Sequence, residues 1–243
     1  MTATKADIIA RLQKEILVLQ GFKKHATSSA LDHALGPIKH AFPNNQFPIG
    51  AIHEFIFEGT EDAAATGGFV SGLLSSLMVS KAACVWISAR RNIFPPALQA
   101  FGIDPDKIIF IDLQKEKQIT WALEEALKCT SLAAVIGELP ELSFVASRRL
   151  QLAVEQSQVT GFLLRRNPRN LATTACVTRW QIKSLPGSIP GNLPGVGFPC
   201  WQVDLLKIRN GKPGSWKVQY AGNKFRFLTH TPVIIPLPQK KTG

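Results

Sequence analysis

The chain has 243 residues, of which 45% are hydrophobic and 19% are charged. These are globular values, and they exclude a disordered chain. The 28 Lys and Arg residues outnumber the 17 Asp and Glu residues, so the net charge is +11. Such an excess favours nucleic acid or another polyanion as a partner.

The sequence lacks the patterns of membrane and secreted proteins. No apolar run approaches the ~20 residues that a membrane-spanning helix needs, and charged residues interrupt the apolar positions near the N-terminus, so we expect no signal peptide. A cytoplasmic protein without membrane contact is therefore predicted. The four cysteines have no C-x-x-C spacing, and we expect buried apolar side chains, without a metal site or a cofactor: Cys84, Cys129, Cys176 and Cys200.

Residues 1–22 are predicted to contain an amphipathic helix that Gly21 ends. Its apolar side consists of Ile8, Ile9, Leu12, Ile16 and Leu19. An isolated helix of this length is marginal in water, so its apolar side needs a surface, either on its own domain or on a partner. Residues 23–48 are expected to be an extended connector to a core domain at 49–230, with a C-terminal tail at 231–243.

The stretch from Gly50 to Leu74 has the form of a nucleotide-binding strand, loop and helix. Counted from Gly59, the phosphate-loop pattern G-x-x-x-x-G-K-[ST] ends in three residues that replace the inner glycine and the lysine but keep the hydroxyl: Ala64, Ala65 and Thr66. Three carboxylates stand where phosphates would lie: Glu58, Glu61 and Asp62. Like charges at close range repel, so a corner retained for folding is favoured over an ATP site.

Strands and helices are predicted to alternate through the central region. The continuous apolar segment 82–88 indicates a strand buried on both faces of a parallel sheet. A short helix at 95–101, a strand at 108–112 and a helix at 119–129 follow, with Trp121 and Leu123 among its packing residues. A strand at 132–136, a helix at 143–155 and a strand starting at Gly161 complete the region. This alternation predicts an α/β fold in which helices flank a mostly parallel sheet.

The C-terminal third has a different pattern. The segments 176–184, 201–209, 216–221 and 224–228 alternate polar and apolar residues, and turn signals such as Asn210-Gly211 separate them. They are predicted to be antiparallel hairpin strands that extend the sheet and are solvated on one side. Between the first two lies a Pro-Gly repeat at 186–197, which is either a rigid connector or a functional loop.

Five segments matter together: GAIHEF, EDAAATGGF, VWISARRNIFPPALQAFGID, SRRLQLAVEQS and WQVDLLKIRNGKPGSW. As an ordered set they resemble the ImuA family, RecA-like proteins of bacterial mutasome operons. The resemblance runs from about Phe47 to Phe227. It implies a RecA-like fold and a role in damage-induced (SOS) translesion synthesis beside two partners, an ImuB-like relative of the Y-family polymerases and an error-prone polymerase of the replicative type. RecA and DNA are further partners in this interpretation.

Relative to active RecA proteins, the chain lacks more than the phosphate-loop lysine. The place of the catalytic glutamate holds Arg90 or Arg91, and the aspartate that helps to hold magnesium falls near Gly137, with Glu138 beside it. Without the lysine and the catalytic carboxylate, there is no general base and little to neutralise developing charge. We therefore expect no ATP hydrolysis.

Three groups of arginines are candidate contacts for DNA or a protein partner. Arg165, Arg166 and Arg169 are expected on a loop where RecA proteins carry a DNA-binding loop; a solubilising loop or contact with an acidic protein are the alternatives. Arg148 and Arg149 diverge by about 100° on a helix, so only one of them faces a given ligand.

Arg90 and Arg91 form the third group, at the edge of the sheet where open α/β sheets bind ligands. They either contact an anion or pair with the carboxylates at 58, 61 and 62. The adjacent His53 and Glu54 point to opposite faces of a strand, so they are expected to be structural and not to ligate a metal together.

The leading hypothesis is a non-catalytic RecA-like adaptor that brings mutasome components together at damaged DNA. Two alternatives remain: a weak DNA-stimulated ATPase, and an inhibitor of cell division similar to SulA.

Overall fold

The structure is a computed structural model that describes residues 4–5, 11–12, 28–78, 82–168, 171–188 and 197–228. Within these residues, nine strands form one sheet with the spatial order β3-β2-β4-β5-β1-β6-β7-β8-β9. The strands are β1 (Ile52–Phe57), β2 (Cys84–Ser88), β3 (Ile108–Asp112), β4 (Ala134–Glu138), β5 (Thr160–Arg166), β6 (Thr178–Ser188), β7 (Phe198–Ile208), β8 (Gly214–Ala221) and β9 (Lys224–Phe227).

The sheet has a parallel part and an antiparallel part, as the sequence predicts. Strands β1 to β6 pair in parallel, while β7, β8 and β9 continue from β6 in antiparallel hairpins. Strand β2 is buried along its whole length, because both faces of the parallel part are covered. The α/β prediction of a mostly parallel sheet with added antiparallel strands is confirmed.

Between residues 28 and 228, the described part of the chain contains four α-helices and several short 3-10 turns. The helices are α1 (Ser28–Ala34), α2 (Gly59–Leu77), α3 (Glu116–Leu127) and α4 (Phe144–Ser157). Local signals set their limits: the Ser143 hydroxyl accepts a hydrogen bond from the Ala146 N–H and caps α4, and Gln158 ends it with a φ of 65°. No described helix combines the length and apolar character needed to cross a bilayer.

Two apolar cores lie on the two faces of the sheet. One core packs α1 and α2 against one face, along both the parallel and the antiparallel strands. The other packs α3 and α4 against β1, β2, β4 and β5. Trp121 was predicted to pack in this second core, but it is 65% exposed, whereas Leu123 is fully buried. The two residues lie on different sides of α3, so the helix buries a narrower stripe than the sequence suggests.

The prediction of an extended connector at 23–48 is wrong for its described part. Residues 28–45 form α1 and two 3-10 turns, Gly36–Ala41 and Pro43–Asn45, and Leu31, Leu35 and Ile38 are fully buried against the sheet. Their spacing of four and three residues is that of a helical apolar face. This segment therefore belongs to the core domain.

The Pro-Gly repeat at 186–197 lies mostly outside the described residues. Strand β6 continues to Ser188, so Pro186 and Gly187 belong to a strand and not to the loop. For the predicted N-terminal helix, Ile8, Ile9, Ile16 and Leu19 lie outside the described residues. Leu12 is helical and 47% exposed.

Candidate functional site

The corner between β1 and α2 lacks the predicted loop. Strand β1 ends at Phe57 and α2 begins at Gly59, so Glu58 is the single residue between them. Gly59 has a φ of 67°, a conformation that favours glycine, and this lets the chain reverse within one residue. The prediction of a degenerate phosphate loop at Gly59, Ala64, Ala65 and Thr66 is therefore wrong in its geometry, because all four residues belong to α2.

The two positions that would act on phosphates and magnesium point into the core. Ala65, at the place of the lysine, is 4% exposed, and Thr66 is completely buried with a hydroxyl that has no hydrogen-bond partner. Ala64 is exposed. A hydroxyl inside the core cannot ligate a metal at the edge of the sheet. The retained threonine is therefore not a remnant of a working site.

A cleft of about 500 Å³ lies beside this corner, at the carboxyl ends of β1 and β5. Open α/β sheets bind ligands at this edge. The cleft is lined by residues that include Glu58, Gly59, Asn167, Pro168 and Gln181. The N–H groups of the first turn of α2 have no intrahelical partners, but Glu58, Glu61 and Asp62 surround them, and Asp62 already accepts a hydrogen bond of 2.9 Å from the Ser184 N–H. The charge at this helix end is unfavourable for a phosphate.

Beneath the cleft, the fully buried Glu54 carboxylate holds two arginines. Arg165 donates to one carboxylate oxygen, and Arg179 donates to the other at 2.7 Å. The Thr174 hydroxyl adds a hydrogen bond of 3.1 Å, and Arg165 also lies 3.5 Å from Glu141. These contacts join β1 to both of its neighbours, β5 and β6, and to the segment at 171–176. We call Glu54, Arg165 and Arg179 the buried ion cluster.

The buried ion cluster overturns one predicted contact. Arg165 was predicted to lie on a DNA-binding loop, but it is part of β5 and 1% exposed, so it is not available to DNA. Arg166, the last residue of β5, is exposed, and Arg169 lies outside the described residues. The signal for this cluster was a glutamate within the apolar strand IHEFIF, because a buried charge needs a partner of opposite sign.

His53, next to Glu54, faces the other core. It is fully buried and stacks on Phe47, with ring centroids 4.3 Å apart. Its Nε2 donates to the Pro48 carbonyl and its Nδ1 accepts from the Thr178 hydroxyl, both at 2.8 Å, while Trp180 donates to that same hydroxyl at 2.7 Å. Burial lowers the pKa of His53 to about 3. The neutral, fully bonded imidazole has the structural role that the sequence predicts.

Arg91 pairs with a different carboxylate from those considered in the sequence. It donates to Asp112 at 2.7 Å and lies 4.8 Å from the centre of the Phe110 ring, so it does not neutralise the helix end at 58–62. Arg90 is exposed. Nearby, Glu138 accepts hydrogen bonds from Trp86 at 2.8 Å and Asn92 at 3.2 Å, and burial raises its pKa.

The remaining predicted residues are on α4 and in the cores. Arg149 is bonded to Glu124 on α3, and Arg148 lies 3.8 Å from Glu155; both arginines are exposed. Of the cysteines, Cys129 is exposed, contrary to the prediction of four buried thiols. Burial raises the pKa of Cys84 and Cys176 to about 12. No group of three or more His, Cys, Asp or Glu residues in the described ranges could hold a metal ion.

The order of the strands and the helices on both faces of the sheet define an α/β domain with a RecA-like fold. A solved structure, the RadB recombinase, aligns with 84% of this chain and 99% of its own, with a TM-score of 0.54 and 13% sequence identity. That likeness concerns the fold alone.

The sequence comparisons lead to a family. The chain is 34% identical over 194 residues to the protein ImuA of Caulobacter vibrioides, which covers 75% of this chain and 80% of that protein. The chain belongs to the ImuA family. It is also 26% identical over 116 residues to the cell division inhibitor SulA of Serratia marcescens, covering 48% of this chain and 68% of that protein. No family model matches the chain.

Proposed function

We propose that this chain is a non-catalytic RecA-like adaptor of damage-induced, error-prone translesion DNA synthesis. In this role it joins an ImuB-like relative of the Y-family polymerases to an error-prone polymerase of the replicative type, and it contacts DNA and RecA. Membership of the ImuA family supports the process. The net charge of +11 supports the contact with DNA.

The observation that carries the non-catalytic part is the start of α2 at Gly59. A phosphate loop works because successive backbone N–H groups wrap around the phosphates and a lysine reaches the outer two. Here one residue separates strand from helix, a buried alanine stands at the lysine position, and carboxylates surround the helix end. The domain therefore acts through its surfaces.

Co-elution tests the adaptor role. The purified chain is mixed with its ImuB-like partner and with the polymerase, and the mixtures are separated by size-exclusion chromatography with and without DNA. We expect a complex that forms without added ATP. Absence of any association, in the presence or the absence of DNA, would contradict the proposal.

The ATPase alternative predicts turnover that depends on the carboxylate near the magnesium position. Radiolabelled ATP hydrolysis is therefore compared between the wild type, Glu138→Gln and the matched control Glu155→Gln, which changes a half-buried glutamate in the last turn of α4. We expect only background turnover in all three. Hydrolysis that persists through purification and falls only in Glu138→Gln would establish the ATPase.

The similarity to SulA supports a second candidate function, inhibition of cell division. Overexpression in the source bacterium distinguishes the two, since an inhibitor produces filamentous cells in the absence of DNA damage. We expect cells of normal length. Filaments that disappear when a destabilised variant is expressed at the same level would favour the SulA-like function.

A further inference from the structure

Among the residues that the structure describes, the antiparallel strands β6 to β9 have one covered face and one open face. The side chains on the covered face, such as Trp180, Trp201 and Val218, are buried under α1 and α2. Their neighbours along each strand point the other way, because side chains alternate in a strand. Beyond the segment at 171–176, which contacts Arg179 and Lys207, neither α3 nor α4 packs on this second side. We call it the open face.

The open face is polar and positively charged. It carries Lys183 on β6, Lys217 on β8, and Lys224 and Arg226 on β9, and none of these four makes an ion pair with a described residue. Its other side chains include the amides and the hydroxyl of Gln181, Gln202, Gln219 and Ser215, beside the exposed apolar Phe198 and Leu206 of β7. The face therefore offers cations and hydrogen-bond donors together, as phosphate oxygens require.

Acidic groups offset little of this charge. Asp204 lies among the glutamines, and it accepts hydrogen bonds from Ser215 at 2.6 Å and Gln202 at 3.0 Å. Asp62, at the start of α2, reaches the Ser184 backbone at one border of the face. Two further acidic residues lie close to it in sequence, Glu58 just before α2 and Glu61 in its first turn. Four cations against one bonded carboxylate leave the centre of the face positive.

The strand register spreads the cations across the sheet. Lys183 lies opposite Gln202, and Gln202 lies opposite Lys217, so the two lysines are two strands, or about 10 Å, apart. Arg226 lies opposite Gln219, two residues along β8 from Lys217. A chain of phosphates crossing the strands meets these charges in succession. A hollow of about 360 Å³ lies at the edge of β8, lined by Gln202, Ser215 and Lys217 and also by Pro37, Trp216 and Phe227 from the covered side.

Three of the arginines chosen from the sequence are less available than these residues, whereas Arg90 and Arg166 are exposed. Arg165 is buried in the ion cluster, Arg91 pairs with Asp112, and Arg149 pairs with Glu124. Charges already satisfied within the protein release few counterions when DNA binds. The unpaired cations of the open face are therefore better suited to a polyanion.

We propose that the open face binds the phosphodiester backbone of DNA, without reading the base sequence. This inference rests on the proposed contact between the adaptor and DNA, and it places that contact on β6 to β9. Single strands and duplexes share the same phosphodiester chemistry, and the experiment separates them.

The test compares binding of fluorescein-labelled 30-nucleotide DNA, as a single strand and as a duplex, by anisotropy at 50 to 300 mM salt. The open-face variant is Lys183→Gln/Lys217→Gln/Arg226→Gln. Its matched control, Lys107→Gln/Lys115→Gln/Lys117→Gln, removes the same charge at the β3 end of the sheet. Each phosphate contact contributes about 0.9 to the slope of log affinity against log salt for a duplex and about 0.7 for a single strand.

We expect the open-face variant to bind about 100-fold more weakly near 0.1 M salt and to lose about 2 to 3 from the magnitude of the slope. The control variant is expected to remain close to the wild type. A third variant, Lys183→Arg/Lys217→Arg/Arg226→Lys, keeps the charges and should bind like the wild type, and circular dichroism shows whether each variant folds. Whichever DNA binds more tightly, the single strand or the duplex, is the form that the open face recognises.

Three results would overturn the inference: no binding by the wild type at 50 mM salt, unchanged affinity and slope in the open-face variant, or equal losses in the open-face and control variants. Assembly with the ImuB-like partner is measured separately without DNA. If that assembly persists while the open-face substitutions leave DNA binding unchanged, the proposed adaptor function stands and this inference fails.

Discussion

Replacing Glu54 by Gln tests whether the buried ion cluster holds the central strands together. The substitution keeps the size of the side chain but removes the negative charge of Glu54, which is 0% exposed and pairs with both Arg165 and Arg179. Removing one partner of a buried ion pair typically costs about 3 to 5 kcal/mol, because the remaining charge stays desolvated and unpaired. In the variant, Arg179 retains its hydrogen bond of 2.7 Å to the Ala172 carbonyl, and Arg165 retains its ion pair of 3.5 Å with Glu141. We therefore expect the lower end, about 3 kcal/mol.

Urea unfolding, followed by tryptophan fluorescence and far-ultraviolet circular dichroism, measures this loss. For a domain of this size, about 3 kcal/mol corresponds to a thermal midpoint about 6 to 12 °C lower. Glu125→Gln is the matched control, since it removes the same charge from an exposed pair with Lys128 and should cost less than about 1 kcal/mol. Equal losses in Glu54→Gln and the control would refute the reasoning.

Three further predictions concern single residues. The pKa of His53 falls from 6.5 to about 3 on folding, so protonation favours the unfolded state below pH 6.5. Between pH 6.5 and 5, the free energy of unfolding of the wild type should therefore fall by about 2 kcal/mol, a loss that His53→Phe should not show. Parallel curves of stability against pH for the two proteins would contradict this. Thr66→Val should raise the free energy of unfolding by about 1 kcal/mol, because it removes a buried hydroxyl that has no hydrogen-bond partner. A lower free energy of unfolding in chemical denaturation would indicate that the hydroxyl is bonded. Gly211→Ala should lower the thermal midpoint of unfolding, because an added Cβ would collide with the Ala41 carbonyl. The control is Gly222→Asn at an exposed turn, which should change the midpoint little because asparagine tolerates the φ of 60° there.

The sequence predicts the parallel sheet well because buried parallel strands leave a local mark. The segment at 84–87 is apolar at every position, and with Ser88 it forms β2. The alternating segments after residue 176 likewise form β6 to β9. In both cases, the pattern reflects which faces of a strand are covered, and this information lies within a few consecutive residues.

Contacts between distant residues explain the errors at the site. Arg165 follows an apolar run and precedes Asn167 and Pro168, so it has the local pattern of a loop residue. Its partner, Glu54, lies 111 residues away in sequence, and no local pattern shows that pairing. The missing loop after β1 has a different cause: the spacing from Gly59 suggested the motif, but the run Glu61 to Ala65 favours a helix from its first residue.

The connector at 28–48 shows an error that the sequence could have avoided. Leu31, Leu35 and Ile38 follow helical spacing and are fully buried, while the proline at 37 starts a 3-10 turn. This apolar spacing alone would have placed the segment on the sheet.

The central claim is that this RecA-like sheet no longer carries a nucleotide site, and equilibrium binding of ATP tests it most directly. The purified chain is titrated with a fluorescent ATP analogue in the presence of Mg²⁺, with unlabelled ATP as competitor. We predict no saturable binding at millimolar nucleotide, because α2 begins directly after β1 among carboxylates. Saturable binding that unlabelled ATP displaces, and that Glu58→Gln strengthens by removing a charge at the mouth of the cleft, would contradict the claim.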